Sequence, residues 1–371
     1  MTPLAQRIAE LTARRTGSAG GSQDSLVELP APSCNPGALL FRAHLPATLK
    51  PGAPLVVALH GCTQTATGYA RGTGWSSLAD RHGFALLLPE QARANNPNLC
   101  FNWFQPADIS PIGGEAESIA AAVKAVVGQY QLDRARVFVT GLSAGGAMAA
   151  VMLATYPHLF AGGAVIGGLP YGCASGVPQA LEQMRAQGPG DDAALAAAVR
   201  RVSRGHEGPW PTLSLWHGTA DATVHVSNME RLGRQWRNLH GLDHAALEIM
   251  PGTGSDHRVW RDAAGRAVVE EHRVLGMGHG VPLDPSGRDG IGIIGPFMLD
   301  AGIASTAHIA QSWGLMHGET IDPEPAPAAT SRFTRPRRME ESAEPAASPT
   351  SAADSVRETI ERALRSAGLM R

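Results

Sequence analysis

The chain has 371 residues, of which 43% are hydrophobic, 17% charged and 5% aromatic. This balance is typical of a globular protein, and the length allows one large α/β domain with appendages or two modest domains. The formal net charge is −2, so the sequence predicts no basic surface of the kind that binds nucleic acid or an anionic membrane.

Lysine and cysteine usage excludes several kinds of site. Lys50 and Lys124 are the chain's only lysines and neither follows a glycine-rich phosphate loop, which excludes P-loop chemistry. The cysteines show no C-x-x-C spacing, so we predict no zinc ribbon and no metal site. No apolar run is long enough to span a membrane, and the first residues carry no recognisable export signal. The four cysteines are Cys34, Cys62, Cys100 and Cys173.

Residues 1–30 are predicted to form an amphipathic helix and a flexible linker. Leu4, Ile8 and Leu11 recur at the spacing of one helix face, and a run rich in glycine and serine follows them. The pattern changes after this linker to short apolar strands that alternate with helical segments. This second pattern predicts one domain over residues 31–318.

Within residues 31–318 the alternation predicts a doubly wound, mostly parallel α/β sheet with helices on both faces. The predicted strands are Leu39–Leu45, Leu55–Leu59, Phe84–Leu88, Val137–Thr140, Ala164–Ile166, Leu213–Trp216 and Val268–Val274. The predicted helices are Gly74–Arg81, Glu115–Gln129, Ala144–Tyr156, Asp191–Arg201 and Asn228–Asn238.

The C-terminal segments differ in composition from the predicted sheet domain. Residues 319–353 are rich in proline, alanine and serine with few apolar side chains, which predicts a disordered linker. Residues 354–371 place apolar side chains on one helical face and predict an amphipathic helix. Such a helix is either solvated or docks on a partner or a polymer surface.

The segment Gly141-Leu142-Ser143-Ala144-Gly145 joins a predicted strand to a predicted helix. It matches G-x-S-x-G, in which glycines flank a strained turn that exposes the serine hydroxyl at the sheet edge. An ordinary tight turn is the alternative. We interpret Ser143 as a nucleophile, which makes this an α/β-hydrolase fold.

A serine nucleophile needs a histidine base and an acid that orients the histidine, in the chain order Ser, Asp or Glu, His. Asp221 follows the strand that includes Leu213–Trp216, and His279 follows the strand Val268–Val274 in a glycine-flanked loop. Asp221 could instead be a turn residue, and His279 could hydrogen-bond only locally. The predicted triad is Ser143, Asp221 and His279.

Acyl transfer also needs two backbone N–H groups that point at the developing oxyanion. The residue after the nucleophile, Ala144, supplies one candidate. The loop after strand Leu55–Leu59 supplies the other, because Gly61 lets the chain turn and Cys62 then presents its amide.

Five segments form a recognisable set, namely His60–Gln64, Asn98–Phe104, Gly141–Gly146, Gly168–Gly172 and Gly276–His279. Together they resemble the polyhydroxybutyrate (PHB) depolymerase family of esterases, which includes feruloyl and acetylxylan esterases. The resemblance covers Leu39 to Leu315 and implies hydrolysis of short-chain hydroxyalkanoate or related esters by the predicted triad. Feruloyl or acetylxylan esters are the alternative substrates, and a non-catalytic polymer- or granule-binding protein is the alternative of another class.

The resemblance also implies a Cys62–Cys100 disulfide, a substrate-facing Trp103 and an extracellular location, with no cofactor. Core packing is the alternative for Trp103, because Phe101 and Phe104 flank it. A cytoplasmic location is the alternative that the missing export signal favours. The sequence leaves the oligomeric state open.

Overall fold

The structure is a computed structural model of the full chain. It describes residues 26–187, 192–242, 247–252, 255–287 and 290–316. The predicted N-terminal helix, the linker 319–353 and the C-terminal helix 354–371 lie outside the described residues, so these three domain assignments stay predictions.

The described residues form a ten-stranded sheet and a separate two-stranded one. The ten strands are β1 (Val27–Leu29), β2 (Leu40–His44), β3 (Leu55–Leu59), β4 (Ala85–Glu90), β5 (Val137–Leu142), β6 (Gly162–Ile166), β7 (Thr212–Gly218), β8 (Glu248–Gly252), β9 (Ser255–Arg261) and β10 (Ala267–Val274). The small sheet pairs β11 (Val281–Leu283) with β12 (Met298–Asp300).

The strand order in the large sheet is β1-β2-β4-β3-β5-β6-β7-β10-β9-β8. The six strands from β4 to β10 are parallel to one another, and an antiparallel pair of strands extends the sheet on each side. β3 and β5 are buried along their whole length, as central parallel strands are. The doubly wound, mostly parallel α/β-hydrolase prediction is confirmed.

Helices cover both faces of the sheet, because alternate side chains of each central strand point to opposite faces. Leu55, Val57 and Leu59 of β3 join one apolar core, and Val56 and Ala58 join the other. The first core packs against α3 (Gly114–Tyr130), α4 (Ala144–Thr155), α5 (Val177–Met184), α6 (Asp192–Val202) and α7 (Ser227–Leu239). The second packs against α1 (Ala66–Thr73), α2 (Trp75–His82) and α8 (Ser305–Ser312).

Helix α4 is the central helix of the first core, and all twelve of its residues are buried. It begins directly after Ser143, and its alanines and glycines let it lie close to the sheet. Gly145 is the tightest point, because a Cβ there would overlap the carbonyl oxygens of Leu59 and His60. Close packing at Gly145 therefore sets where the helix meets the end of β3. Among the described residues, no helix has the length and apolar character that crossing a bilayer requires.

Several elements were missing from the sequence analysis. Strand β1 pairs with β2, so the sheet begins inside residues 1–30, which the sequence analysis assigned to a helix and a linker. β8 and β9 pair as a hairpin, and the β9 residues follow no strict alternation of buried and exposed positions. Helix α1 contains Gly68 and Gly72, which lower its helical propensity. The other missing elements are α5, α8, β11 and β12.

A disulfide joins Cys62, just after β3, to Cys100 in the loop after β4. The sequence separation is 38 residues, and the N–H of Thr63 also donates to the carbonyl oxygen of Asn98 at 2.7 Å. Cys34 and Cys173 are free thiols. The disulfide therefore fastens the β3 loop to a segment that is distant in sequence.

We expect Gly145→Ala to lower the free energy of unfolding by about 1–3 kcal/mol, because the added methyl group must push α4 away from β3. Urea denaturation measures this change. Gly128→Ala is the matched control, because Gly128 lies on the exposed side of α3 and its Cβ would meet no described atom within 4 Å. The control variant should gain about 0.5–1 kcal/mol. Equal effects of the two substitutions would contradict the close-packing argument.

Removing the disulfide in a Cys62→Ser/Cys100→Ser protein should cost about 2–4 kcal/mol of stability, because the unfolded chain regains the freedom of a large loop. Guanidinium denaturation of the oxidised proteins measures the difference. Cys34→Ser, which removes a free thiol, should leave the midpoint unchanged. A double variant as stable as the parent would show that the bond places no constraint on the chain.

Candidate active site

Ser143 occupies a strained turn between β5 and α4. Its φ is 57° and its ψ is −118°, in a region that non-glycine residues rarely adopt. The Ser143 N–H donates to the carbonyl oxygen of Ile166 at 2.8 Å, and its carbonyl oxygen accepts from the Ala147 N–H at 2.8 Å. A Cβ at Gly141 would overlap the carbonyl oxygen of Gly145, so the turn requires the first motif glycine.

Asp221 and His279 meet although 58 positions separate them in the chain. Asp221 follows β7 and His279 follows β10, and these two strands are parallel neighbours whose carboxyl ends share one edge. The Nδ1 atom of His279 lies 2.6 Å from Oδ2 of Asp221. The structure therefore brings two of the three predicted triad residues into direct contact.

Backbone contacts hold the two loops together on either side of this pair. The Ala220 N–H donates to the carbonyl oxygen of Met277 at 3.0 Å, and the Gly276 N–H donates to Oγ1 of Thr219 at 2.9 Å. A Cβ at Gly218 would overlap the carbonyl oxygen of Met277. The loops are thus in close backbone contact before their side chains meet.

The loop after β6 connects Ser143 to the Asp221–His279 pair. Ile166, the last residue of β6, accepts the Ser143 N–H, and Gly167 follows it with φ 54°. A Cβ at Gly167 would lie 3.1 Å from Cε1 of His279 and 3.6 Å from Oδ2 of Asp221. All three predicted triad residues are therefore gathered around one short turn at the carboxyl ends of β5, β6, β7 and β10.

The Asp221 carboxyl is buried and fully hydrogen-bonded. Its Oδ1 atom accepts from the backbone N–H groups of Thr223 and Val224, both at 2.8 Å. Burial by itself would raise the pKa of Asp221, but the charge of His279 and hydrogen bonds from His217 and His279 hold that pKa well below its ordinary range. A carboxylate only accepts hydrogen bonds, so Nδ1 of His279 carries the proton. Nε2 of His279 is then the basic nitrogen.

His217 is a residue of this site that the sequence analysis missed. It lies in β7 and is 1% exposed, and its Nε2 atom lies 3.2 Å from Oδ2 of Asp221 and 2.7 Å from the carbonyl oxygen of Val224. The sequence analysis assigned it no role. The signal that could have identified it is the four-residue spacing between a histidine at a strand end and the predicted acid.

Of the two predicted oxyanion amides, that of Cys62 lies in the loop after β3 and that of Ala144 is at the first position of α4. The N–H groups on either side of Cys62 are engaged, that of Gly61 with Oε1 of Gln64 at 2.8 Å and that of Thr63 with Asn98. Within the described residues, neither the Cys62 nor the Ala144 N–H has a hydrogen-bond acceptor. A Cβ at Gly61 would lie 3.5 Å from the carbonyl oxygen of Leu142, which places the Cys62 loop beside the serine turn.

A chain of buried polar groups anchors the Cys62 loop. His60 donates from Nδ1 to the carbonyl oxygen of Gly61 at 2.8 Å and accepts the Gln91 N–H at Nε2 at 3.1 Å, while burial lowers the His60 pKa. Gln91 and Asn102 both donate to Glu115, a buried acid in α3. Burial raises the pKa of Glu115 to about 8, although the hydrogen bonds from Asn102 and Gln91 oppose that rise.

Trp103 lies within the first core and is 6% exposed. Its ring packs edge-on against Phe104, with centroids 5.4 Å apart. This position favours the core-packing alternative of the sequence analysis, and a substrate contact of Trp103 stays a prediction.

A cavity of about 490 Å³ opens beside the Cys62 loop, between the start of α1 and the segment before β12. Thr63 and Gln64 line one side, and Ile293, Phe297 and Met298 line the other. The Phe297 ring is edge-on to the ring of His279 at 6.1 Å. This cavity therefore adjoins both the predicted oxyanion loop and the predicted base.

A second cavity, of about 670 Å³, lies at the far end of α4. Its walls come from the segments 155–160 and 202–209 with Pro111. These segments precede β6 and β7, at the opposite end of the strands from Ser143. The larger cavity therefore plays no part in the predicted chemistry.

Comparisons with known proteins give the family of this chain. Residues 41–254 match the family described as esterase PHB depolymerase. Poly(3-hydroxyalkanoate) depolymerase C of Paucimonas lemoignei is 43% identical over 286 residues, which cover 76% of this chain and 68% of that protein. The acetylxylan esterase of Coprinopsis cinerea is 34% identical over 270 residues, 69% of each chain.

The fold also matches a solved structure, the acetyl xylan esterase from Aspergillus awamori. The TM-score is 0.67 at 24% identity, and the match covers 79% of this chain and all of that one. This similarity supports the fold, while the family match and the two relatives give the class of protein. The chain belongs to the esterase PHB depolymerase family and is a carboxylic ester hydrolase.

Proposed function

We propose that the protein hydrolyses carboxylic esters through an acyl-enzyme on Ser143, with His279 as the base and Asp221 as the orienting acid. The observation that carries this proposal is the 2.6 Å contact between His279 Nδ1 and Asp221 Oδ2 at the sheet edge that holds the serine turn. Because Nδ1 is engaged, Nε2 of His279 is the nitrogen that takes the serine proton.

The reaction has two balanced halves. In the first, Oγ of Ser143 bonds to the ester carbonyl carbon while its proton moves to His279, and the tetrahedral intermediate then expels the alcohol, which takes that proton. In the second, water attacks the acyl-serine with His279 again accepting a proton, and the acid leaves as Ser143 recovers its hydrogen. The N–H groups of Cys62 and Ala144 stabilise the oxyanion in both halves.

Asp221 supports this cycle because it remains a carboxylate when His279 becomes an imidazolium. Four donors stabilise the negative charge of this carboxylate: two backbone N–H groups, His217 and His279. His217 is a positioning residue in this scheme. It ties the carboxylate to the carbonyl oxygen of Val224, so that Oδ2 faces the imidazole.

Ser143→Ala should lower kcat for p-nitrophenyl butyrate by about 10⁴-fold or more, because no other hydroxyl takes the position of the nucleophile. A fluorophosphonate adduct mapped by mass spectrometry should lie on Ser143 in the parent protein and be absent from the variant. Ser175→Ala, which removes an exposed serine hydroxyl bonded to Gln179, is the control and should keep full activity. Full activity of Ser143→Ala would overturn the proposal.

For the substrate we propose short-chain poly(3-hydroxyalkanoate) esters of the 3-hydroxybutyrate type. A relative named for that polymer is 43% identical. Ile293, Phe297 and Met298 give the 490 Å³ cavity an apolar wall beside His279, which suits short aliphatic hydroxyacyl units. Feruloyl or acetylated xylan esters are the second candidate, since relatives named for those substrates are 32% and 34% identical. Membership of an esterase family argues against the non-catalytic binding protein.

Oligomers of 3-hydroxybutyrate should give a kcat/KM at least about tenfold above methyl ferulate and acetylated xylan, a difference of the size that an apolar pocket supplies. Product release from all three substrates measures it. A reversed order would reject this substrate class and leave the Ser143 mechanism standing.

Phe297→Ala connects the substrate preference to the cavity. It should lower kcat/KM for the oligomers by about tenfold or more through lost apolar contact, and it should change p-nitrophenyl acetate turnover much less, because the smaller acetyl group has less apolar surface to lose contact with. An equal loss on both substrates would indicate that Phe297 acts on His279 instead of on the acyl chain.

We further propose an extracellular location. The Cys62–Cys100 disulfide supports it, because such bonds persist in oxidising compartments and are rare in the cytosol.

A further inference from the structure

Two histidines and a glutamate share one face of the antiparallel strands β9 and β10, away from the predicted triad. His257 of β9 lies directly opposite His272 of β10 in the register. Glu270 is two residues before His272, so its side chain points to the same face. The proposed esterase chemistry uses none of the three.

Their ligand atoms already converge. Nε2 of His257 lies 2.8 Å from Oε2 of Glu270, and Nε2 of His272 lies 3.7 Å from the same oxygen. The ligand atoms of all three residues lie within 4.8 Å of one another. Two ligands held about 2.0–2.1 Å from a tetrahedral Zn²⁺ are about 3.4 Å apart, which falls between the two distances measured here.

The neighbouring side chains restrict the imidazole rings. His272 is stacked between Trp216, with centroids 3.7 Å apart, and His257, with centroids 4.0 Å apart. The Trp216 ring is itself held by a hydrogen bond from Nε1 to Oγ of Ser214 at 2.9 Å. The stack fixes the plane of His272, and the side chains of His257 and Glu270 rotate to close on an ion.

An ion can also reach the cluster. The side chains of His257 and Glu270 are 22% and 20% exposed, while that of His272 is 10% exposed. Water can therefore complete the coordination on the open side. Two imidazoles with one carboxylate favour a first-row transition-metal ion over Ca²⁺ or Mg²⁺, which prefer oxygen ligands.

We propose that His257, Glu270 and His272 form a binding site for a transition-metal dication, Zn²⁺ in the first instance, with water as the remaining ligand. The site bridges β9 to β10, and β10 runs directly into the loop that carries His279. The bound ion cross-links the edge hairpin to the parallel sheet, and the chemistry at Ser143 proceeds without it.

Calorimetric titration of the chelator-treated full-length protein with ZnCl₂ tests the site. One equivalent should bind with a Kd in the micromolar range or below, and the melting temperature should rise with the ion concentration. Co²⁺ should give the visible absorption of a low-coordinate His₂-carboxylate complex. Because changes beyond the ligands already cost about 10–100-fold in affinity, Glu270→Gln and His257→Gln should each weaken this binding event by at least about 100-fold.

Asp80→Asn is the matched control. Asp80 also lies 2.8 Å from a histidine nitrogen, that of His44, so this variant removes a histidine-bonded carboxylate elsewhere and should bind Zn²⁺ like the parent. All variants should keep the parent's p-nitrophenyl butyrate turnover, which also shows that they fold. No binding to the parent, or equal binding to Glu270→Gln and His257→Gln, would overturn the site and leave a hydrogen-bonded stack.

A measurement on the parent protein alone covers the case in which a variant does not fold. Zn²⁺ should protect His257 and His272 from diethylpyrocarbonate, as mapped by mass spectrometry, while the exposed His225 remains reactive. Unchanged modification of His257 and His272 at saturating Zn²⁺ would contradict the proposal. These readouts are independent of the esterase mechanism, so either proposal can fail without the other.

Discussion

The hydrogen bond between Asp221 and His279 imposes the strictest requirement on this fold. A buried carboxylate is costly unless donors surround it, and here two backbone N–H groups and two imidazoles do so. Supplying those donors requires that β7 and β10 be parallel neighbours, that their loops touch, and that His217 near the end of β7 lie beside the carboxylate four residues later. The need to supply hydrogen-bond donors to the Asp221 carboxylate therefore determines the local geometry of two loops and one strand end.

Glycines allow the backbone to come close enough for this arrangement. Gly141 and Gly145 let the serine turn and the start of α4 approach the end of β3, and Gly218 lets the Asp221 loop contact the residues before His279. Gly167 leaves space for the imidazole itself. A methyl group at Gly141, Gly145 or Gly218 would overlap backbone atoms, and one at Gly167 would crowd the side chain of His279. The site therefore requires glycine at these turns.

The sequence was sufficient to predict the central strands, the serine turn and the Asp221–His279 pair. Apolar runs mark the strands, and the chain order Ser, Asp, His on loops after strands marks the other residues. It was insufficient for β8, which includes Pro251 and Gly252, and for β9, whose mostly polar residues follow no strict alternation. His217 was missed because its role depends on a contact with Asp221 that forms only in the folded chain. The predicted substrate contact of Trp103 gained no support, because the burial of a side chain depends on packing that a single residue type does not reveal. The His257–Glu270–His272 cluster needed the register between β10 and β9, and the sequence did not predict β9.

Glu115 has a wider influence than its place in α3 suggests. It accepts hydrogen bonds from Gln91 and Asn102, and Gln91 in turn donates its backbone N–H to His60 beside the oxyanion loop. Three other stretches of chain, at His60, Gln91 and Asn102, are therefore linked to one buried acid. A substitution at one of these positions leaves a buried partner at another without its hydrogen bond. Among homologous sequences, Gln91, Asn102 and Glu115 should therefore be replaced together and seldom one at a time.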